Sequence, residues 1–140
     1  MSTTTPSTTV TGSFGYADWT ETAIGPAETL PRLARASVVN AFTGGIEAAA
    51  TVCEYVFLYA TEKTGTFTGL QQLTGRLDGR TGGFTVEERG TFEEDGTVRC
   101  TFEVVPGSAT GELTGLRGTG GYLYHPGESP VPYTFSYELG

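Results

Sequence analysis

The sequence predicts an all-β fold, a single small closed antiparallel barrel of about eight strands. Three observations predict it. Apolar and polar residues alternate with period two along most of the chain, as on strands that bury one face. Gly, Asp and Pro turn signals interrupt these runs at short intervals, the rhythm of a sandwich or barrel. Nine Thr-Gly pairs, from Thr11-Gly12 to Thr119-Gly120, join a residue suited to a pleated surface to one that supplies bends and bulges. That is how a strongly curved sheet is written.

The expected strands are 10–20, 33–43, 46–61, 66–77, 83–92, 97–105, 121–125 and 131–139. The best helical candidate, 31–41, contains Val38 and Val39 and fits period two as well. Connections such as Asp78-Gly79 and Glu94-Asp95-Gly96 are short, so sequential strands pair as hairpins. Segments 21–29 and 126–130 read as longer loops, the second kept out of any central ladder by its prolines. Eight strands in sequence close on themselves and leave no open edge. A barrel of that size is filled by side chains or has room for one small ligand.

A chain of 140 residues suits one domain, 10–140, preceded by a flexible Ser/Thr tail, 1–9. The net charge is −8, and the eight basic residues are scattered. Nucleic acid and anionic membrane surfaces both require concentrated positive charge, so neither is an expected partner. No stretch is long and apolar enough for a spanning helix, and the start has no signal-peptide pattern, so the expected compartment is the cytoplasm. Cys53 and Cys100 then read as reduced, buried hydrophobes.

Period-two bookkeeping assigns the faces. In the fifth strand Phe84, Val86, Glu88, Gly90 and Phe92 go in. In the sixth Val98, Cys100, Phe102 and Val104 go in, and in the fourth Phe67, Gly69, Gln71, Leu73 and Gly75. In the last, Val131, Tyr133, Phe135, Tyr137 and Leu139 go in. The third strand is apolar on both sides, so either face suits the interior. The face taken as inner carries Ile46, Ala48, Ala50, Val52, Glu54, Val56 and Leu58. Tyr55, Phe57 and Tyr59 on the other side then need cover, which points to a homo-oligomer, a dimer above all.

Three polar side chains therefore stand on apolar stripes: Glu54, Gln71 and Glu88. A buried carboxylate must find partners or stay protonated, and such a group in a cavity is a candidate for acid/base work. Glu54 and Glu88 are the catalytic candidates. Gln71, Tyr16, Trp19, Phe84, Phe102, Tyr133 and Tyr137 are the candidates for lining a substrate pocket. One histidine, His125, and two cysteines far apart make no zinc-type ligand set, so neither metal nor cofactor is expected. The glycine-dense run 106–118 lacks the lysine of a phosphate loop and reads as a turn between strands.

Four segments carry a resemblance: Phe42-Thr43-Gly44-Gly45-Ile46-Glu47, Gly69-Leu70-Gln71-Gln72-Leu73-Thr74-Gly75-Arg76-Leu77, Gly79-Arg80-Thr81-Gly82-Gly83-Phe84, and Pro106-Gly107-Ser108-Ala109-Thr110-Gly111-Glu112-Leu113-Thr114-Gly115-Leu116-Arg117-Gly118. Together they resemble a bacterial family of unknown function whose members are similar to the allene oxide cyclase barrel. The likeness implies an allene oxide cyclase-like fold of eight strands. Barrels of similar build in plant cyclases, dirigent proteins and bacterial [4+2] cyclases hold a flexible hydrophobic substrate and steer its ring closure without a cofactor. The resemblance therefore implies a cofactor-free cyclase or isomerase acting on a small hydrophobic molecule, such as a natural-product intermediate. A carrier of such a molecule is the alternative. Gln71 stands where the family typically has Glu, and Glu88 where it often has His, which fits a pocket retuned for one substrate.

Overall fold

The computed structural model describes residues 7–139. Eight strands follow one another: β1 (Thr8–Ile24), β2 (Arg32–Gly44), β3 (Ile46–Tyr59), β4 (Gly65–Leu77), β5 (Arg80–Phe92), β6 (Val98–Val104), β7 (Leu116–Tyr124) and β8 (Val131–Leu139). Each pairs antiparallel with the next, and β1 pairs with β8 to close the barrel. The expected fold class holds. β1 starts at Thr8, inside the expected tail, and 1–6 lie outside the described residues. The seventh strand starts earlier than expected, at Leu116 instead of Gly121, because Gly118 and Gly120 stay in the ladder.

Local sequence explains the tight ends. Asp78 and Gly79 both have positive φ, the geometry that lets a two-residue turn follow the twist of β4 and β5. Run 106–118 forms a turn, then a short 3-10 segment (Gly111–Leu113), then the start of β7. Thr110 bonds the β5 edge twice, its N–H to Gly83 O at 2.8 Å and its Oγ1 accepting from Gly83 N at 3.1 Å. Leu113, fully buried, thereby plugs this end of the barrel.

The interior has two unlike halves. Beside the plug, Phe84, Phe102, Phe135 and Tyr137 stack with Ile46, Leu73, Leu77 and Leu116 into a packed core. Toward the other end, Ala34, Ala36, Val38, Cys53, Tyr55, Phe57 and Phe67 form a second cluster around an open lumen. No helix among the described residues is long and apolar enough to cross a membrane.

Two bulges reset the alternation. On β1, Ala17 pairs with Val39 and Thr20 with Ser37, so Asp18 and Trp19 together oppose Val38. On β3, Glu47 pairs with Arg76 and Val52 with Gln72, which gives β3 one more residue than β4 over that interval. Ile46 and Ala48 face in, Ala49 and Ala50 both face out, and Thr51, Cys53, Tyr55 and Phe57 face in. An inserted residue flips every later side chain to the opposite face. The inner-face assignment for β3 is therefore corrected. Val52, Glu54, Val56 and Leu58 are exposed, and Tyr55 and Phe57 belong to the lumen, with Tyr59 at its rim.

Candidate functional site

The open half holds a cavity of about 510 Å³, inside the range of roughly 300–1,000 Å³ for small-molecule sites. Its walls are Phe14, Tyr16, Trp19, Tyr55, Phe57, Tyr59, Phe67, Phe92, Tyr122 and Tyr124, joined by Val38, Asn40, Val98 and Val131. Glu21, Glu62, Lys63, Glu93 and Glu94 stand around the mouth. Aromatic contacts knit the wall: Trp19 lies 5.8 Å from Phe57 and 6.2 Å from Tyr55, and Tyr55 meets Phe67 edge-on at 5.3 Å. Gly69 makes room for Tyr55, since a methyl there would lie 2.6 Å from the ring.

At the rim, Tyr59 donates to Glu21 Oε2 at 2.7 Å, while Arg32 packs 4.0 Å over the Tyr59 ring. Burial, then the Glu21 carboxylate, pushes the Tyr59 phenol up to about 12. Across the mouth, the Tyr16 and Tyr124 hydroxyls meet at 3.4 Å.

Under the floor lies a polar knot. Glu88, 2% exposed, receives four hydrogen bonds: Tyr55 OH at 3.2 Å and Cys100 Sγ at 3.5 Å on Oε1, Cys53 Sγ at 3.3 Å and Gln71 Nε2 at 3.4 Å on Oε2. No cation faces it within ion-pairing distance among the described residues. Burial raises its pKa, and the hydrogen bonds from Cys53, Cys100, Tyr55 and Gln71 only partly oppose that rise. Burial likewise raises both thiols and the Tyr55 and Tyr122 phenols.

Two arms leave this knot. In one, Tyr55 OH lies 3.4 Å from Tyr122 OH, and both rings line the cavity. In the other, Gln71 Oε1 accepts from Asn40 Nδ2 at 2.9 Å and from Thr51 Oγ1 at 3.2 Å. Asn40 Oδ1 is left without a partner. A void of about 10 Å³ between the knot and the packed core touches Glu88, Gln71, Asn40, Tyr55 and Tyr122.

Tyr16, Trp19, Gln71 and Glu88 thus gather at the cavity or directly beneath it. Glu54 does not: it faces outward and accepts from Ser37 Oγ at 2.6 Å. It has no place in lumen chemistry. Phe84, Phe102, Tyr133 and Tyr137 face in as expected, but they sit in the packed half and do not line the large cavity. Tyr133 OH ties the β2–β3 turn, donating to Thr43 O at 3.0 Å and accepting from Ile46 N at 2.9 Å, and Tyr137 OH bonds Asp78. Sequence reasoning missed Tyr55, Phe57, Tyr122 and Asn40. Parity counted forward from Thr51 or Cys53 would have found the first two.

The fold and site define a class, a closed eight-stranded β-barrel with one half plugged and the other open around an aromatic cavity. The chain belongs to the family described as protein of unknown function DUF3224, whose model matches residues 10–137. It is similar to the crystal structure of a DUF3224 protein of unknown function from Shewanella oneidensis MR-1. Identity is 30%, coverage is 96% of this chain and 99% of that one, and the TM-score is 0.74. No curated protein matches the sequence.

Proposed function

We propose that the barrel takes one small, largely apolar molecule into its cavity and isomerises or cyclises it without a cofactor. Glu88 is the proton reservoir, and it acts through Tyr55 and Tyr122. The single observation that carries this reading is the Tyr55 hydroxyl, within 3.2 Å of Glu88 and 3.4 Å of Tyr122.

Glu88 is walled off from the cavity by Tyr55, so its proton must travel by relay. When Glu88 is neutral, its O–H turns to the Tyr55 oxygen, Tyr55 donates to Tyr122, and Tyr122 donates to the ligand. When Glu88 is ionised, every O–H in the chain reverses, and the Tyr122 oxygen accepts. Removing a proton from one ligand carbon protonates Glu88, and returning it at another completes an isomerisation. The tyrosines stay neutral overall, as their raised pKa values require. Tyr122 is the catalytic residue in this scheme, while Tyr55, Glu88 and Gln71 position it and hold its proton. Acid–base catalysis of this kind contributes on the order of 10²–10⁴ in rate, and the aromatic wall adds orientation and exclusion of water.

Carriage of an apolar ligand is the second reading, favoured by the separation of Glu88 from the cavity. A panel of apolar ketones in heavy water tests both. Binding is followed through Trp19 fluorescence, and exchange of the α-hydrogens by mass spectrometry. Exchange that falls about 100-fold in Glu88→Gln and Tyr55→Phe, with binding retained, supports the relay. Binding without exchange leaves carriage. No binding by any panel member removes the cavity reading itself.

A further inference from the structure

Closing a barrel requires apolar side chains on its inner face only, yet Val52, Val56 and Leu58 are exposed on the outer face of β3, flanked by Leu33 of β2 and Leu70 of β4. The register makes the patch contiguous. Ile24 pairs with Leu33 and Leu33 with Leu58. Val56 and Val52 follow along β3, with Val39 beside Val52 and Leu70 beside Glu54. Val52 is 57% exposed and Leu70 54%, and Leu33, Val56 and Leu58 are each more than 40% exposed. These are β-branched and leucine side chains on neighbouring rungs of the outer wall, and a monomer gains nothing from showing them to water. On β2 and β3 they are joined by one cation and one anion, Arg35 and Glu54, while Glu87 beside Leu70 on β5 is already paired with Arg89. Arg35 pairs with Val56, and Glu54 pairs with Ser37 on the adjacent rung. Neither charge has an ion-pair partner among the described residues.

We propose that this face binds a second copy of the chain across a two-fold axis, which sets Arg35 of each copy against Glu54 of the other. A two-fold contact is self-complementary, so a residue on one copy meets its mate on the other and the reverse. One unpaired Arg and one unpaired Glu set diagonally within one aliphatic field meet that requirement, and two ion pairs form from a single set of residues. No other partner chemistry is needed to satisfy both charges and cover the leucines. The contact is on the outer wall, on the opposite face of the sheet from the lumen, and its Leu33 and Leu58 reach the mouth end beside Arg32 and Tyr59.

Sedimentation of the full chain tests the proposal. The unmodified protein sediments as a dimer, and Leu70→Glu sediments as a monomer with unchanged circular dichroism. Arg35→Glu and Glu54→Arg each weaken association by about tenfold or more, and the double reversal restores it, because charges buried in an interface couple strongly. A monomer up to the solubility limit overturns the proposal. So does a dimer indifferent to Leu70→Glu, or one that the single reversals leave unchanged. All four variants change exposed positions, and their unfolding midpoints report any loss of fold separately.

Discussion

Tyr16 and Trp19 stand three residues apart on β1, a spacing of opposite parity, and both line the same cavity. The bulge at Asp18 and Trp19 is the cause: it inserts one residue opposite Val38 and turns the rest of the strand over. Asp18 carries φ of +59°, a left-handed conformation that Asp tolerates better than most residues.

The first prediction concerns that residue. Asp18→Gly leaves stability and the cavity intact. Asp18→Val, whose branched Cβ resists positive φ, costs about 1–2 kcal/mol and shifts the emission of Trp19, the single tryptophan. Chemical denaturation followed by fluorescence reads both effects. A Val variant with parental midpoint and emission would mean that the bulge does not place Trp19.

Glu88 sets a pH dependence. Its folded pKa is raised, chiefly by burial, above the value in the unfolded chain. The folded state therefore holds the proton more tightly, and the stabilisation from the neutral acid is complete at pH below the unfolded pKa. It is lost as pH climbs through the folded pKa. Glu88→Gln mimics the neutral acid and removes that loss. The stability difference between variant and parent should move in favour of Gln as pH rises from acid to neutral. A difference that is flat, or that moves the other way, means that Glu88 is ionised in the fold.

Tyr133 and Tyr55 should separate structure from site. Tyr133→Phe strips the β2–β3 turn of two hydrogen bonds, at about 1–3 kcal/mol for the groups left unsatisfied, and leaves ligand affinity unchanged. Tyr55→Phe interrupts the relay at the cavity floor. If Tyr133→Phe altered exchange or binding as Tyr55→Phe does, the division of the barrel into a packed half and a working half would be wrong.

Cys53 and Cys100 should resist modification. Burial pushes both thiols up, each donates to Glu88, and the reactive species is the thiolate. Labelling by a disulfide reagent at neutral pH then proceeds only through opening of the barrel and accelerates with denaturant. Prompt labelling of the folded protein would show that the knot is open to solvent.

Much of this was legible in the residues. The faces of β4, β5, β6 and β8 follow from alternation, because no bulge interrupts those strands where it counts. Gln71 and Glu88 were found that way, as polar intruders on apolar stripes. Glu54 was misplaced by the same rule. Counting by twos from Ile46 and Ala48 crosses Ala49 and Ala50, where β3 gains a residue, and every position beyond changes face. An alanine run shows no preference for either side, so it hides the insertion. The dimer expectation rested on Tyr55 and Phe57 lying outside. The structure instead exposes Val52, Val56, Leu58 and Leu70, and the proposed contact moves to them.

The sequence by itself determined the barrel, its strand count and the buried acid on β5, since period-two alternation and turn chemistry are local properties. Only the tertiary structure decided which half of the lumen stays open and which aromatic rings line it. Those depend on where two strands each take in one extra residue, and the partner strand across the gap, not the local chain, sets that register.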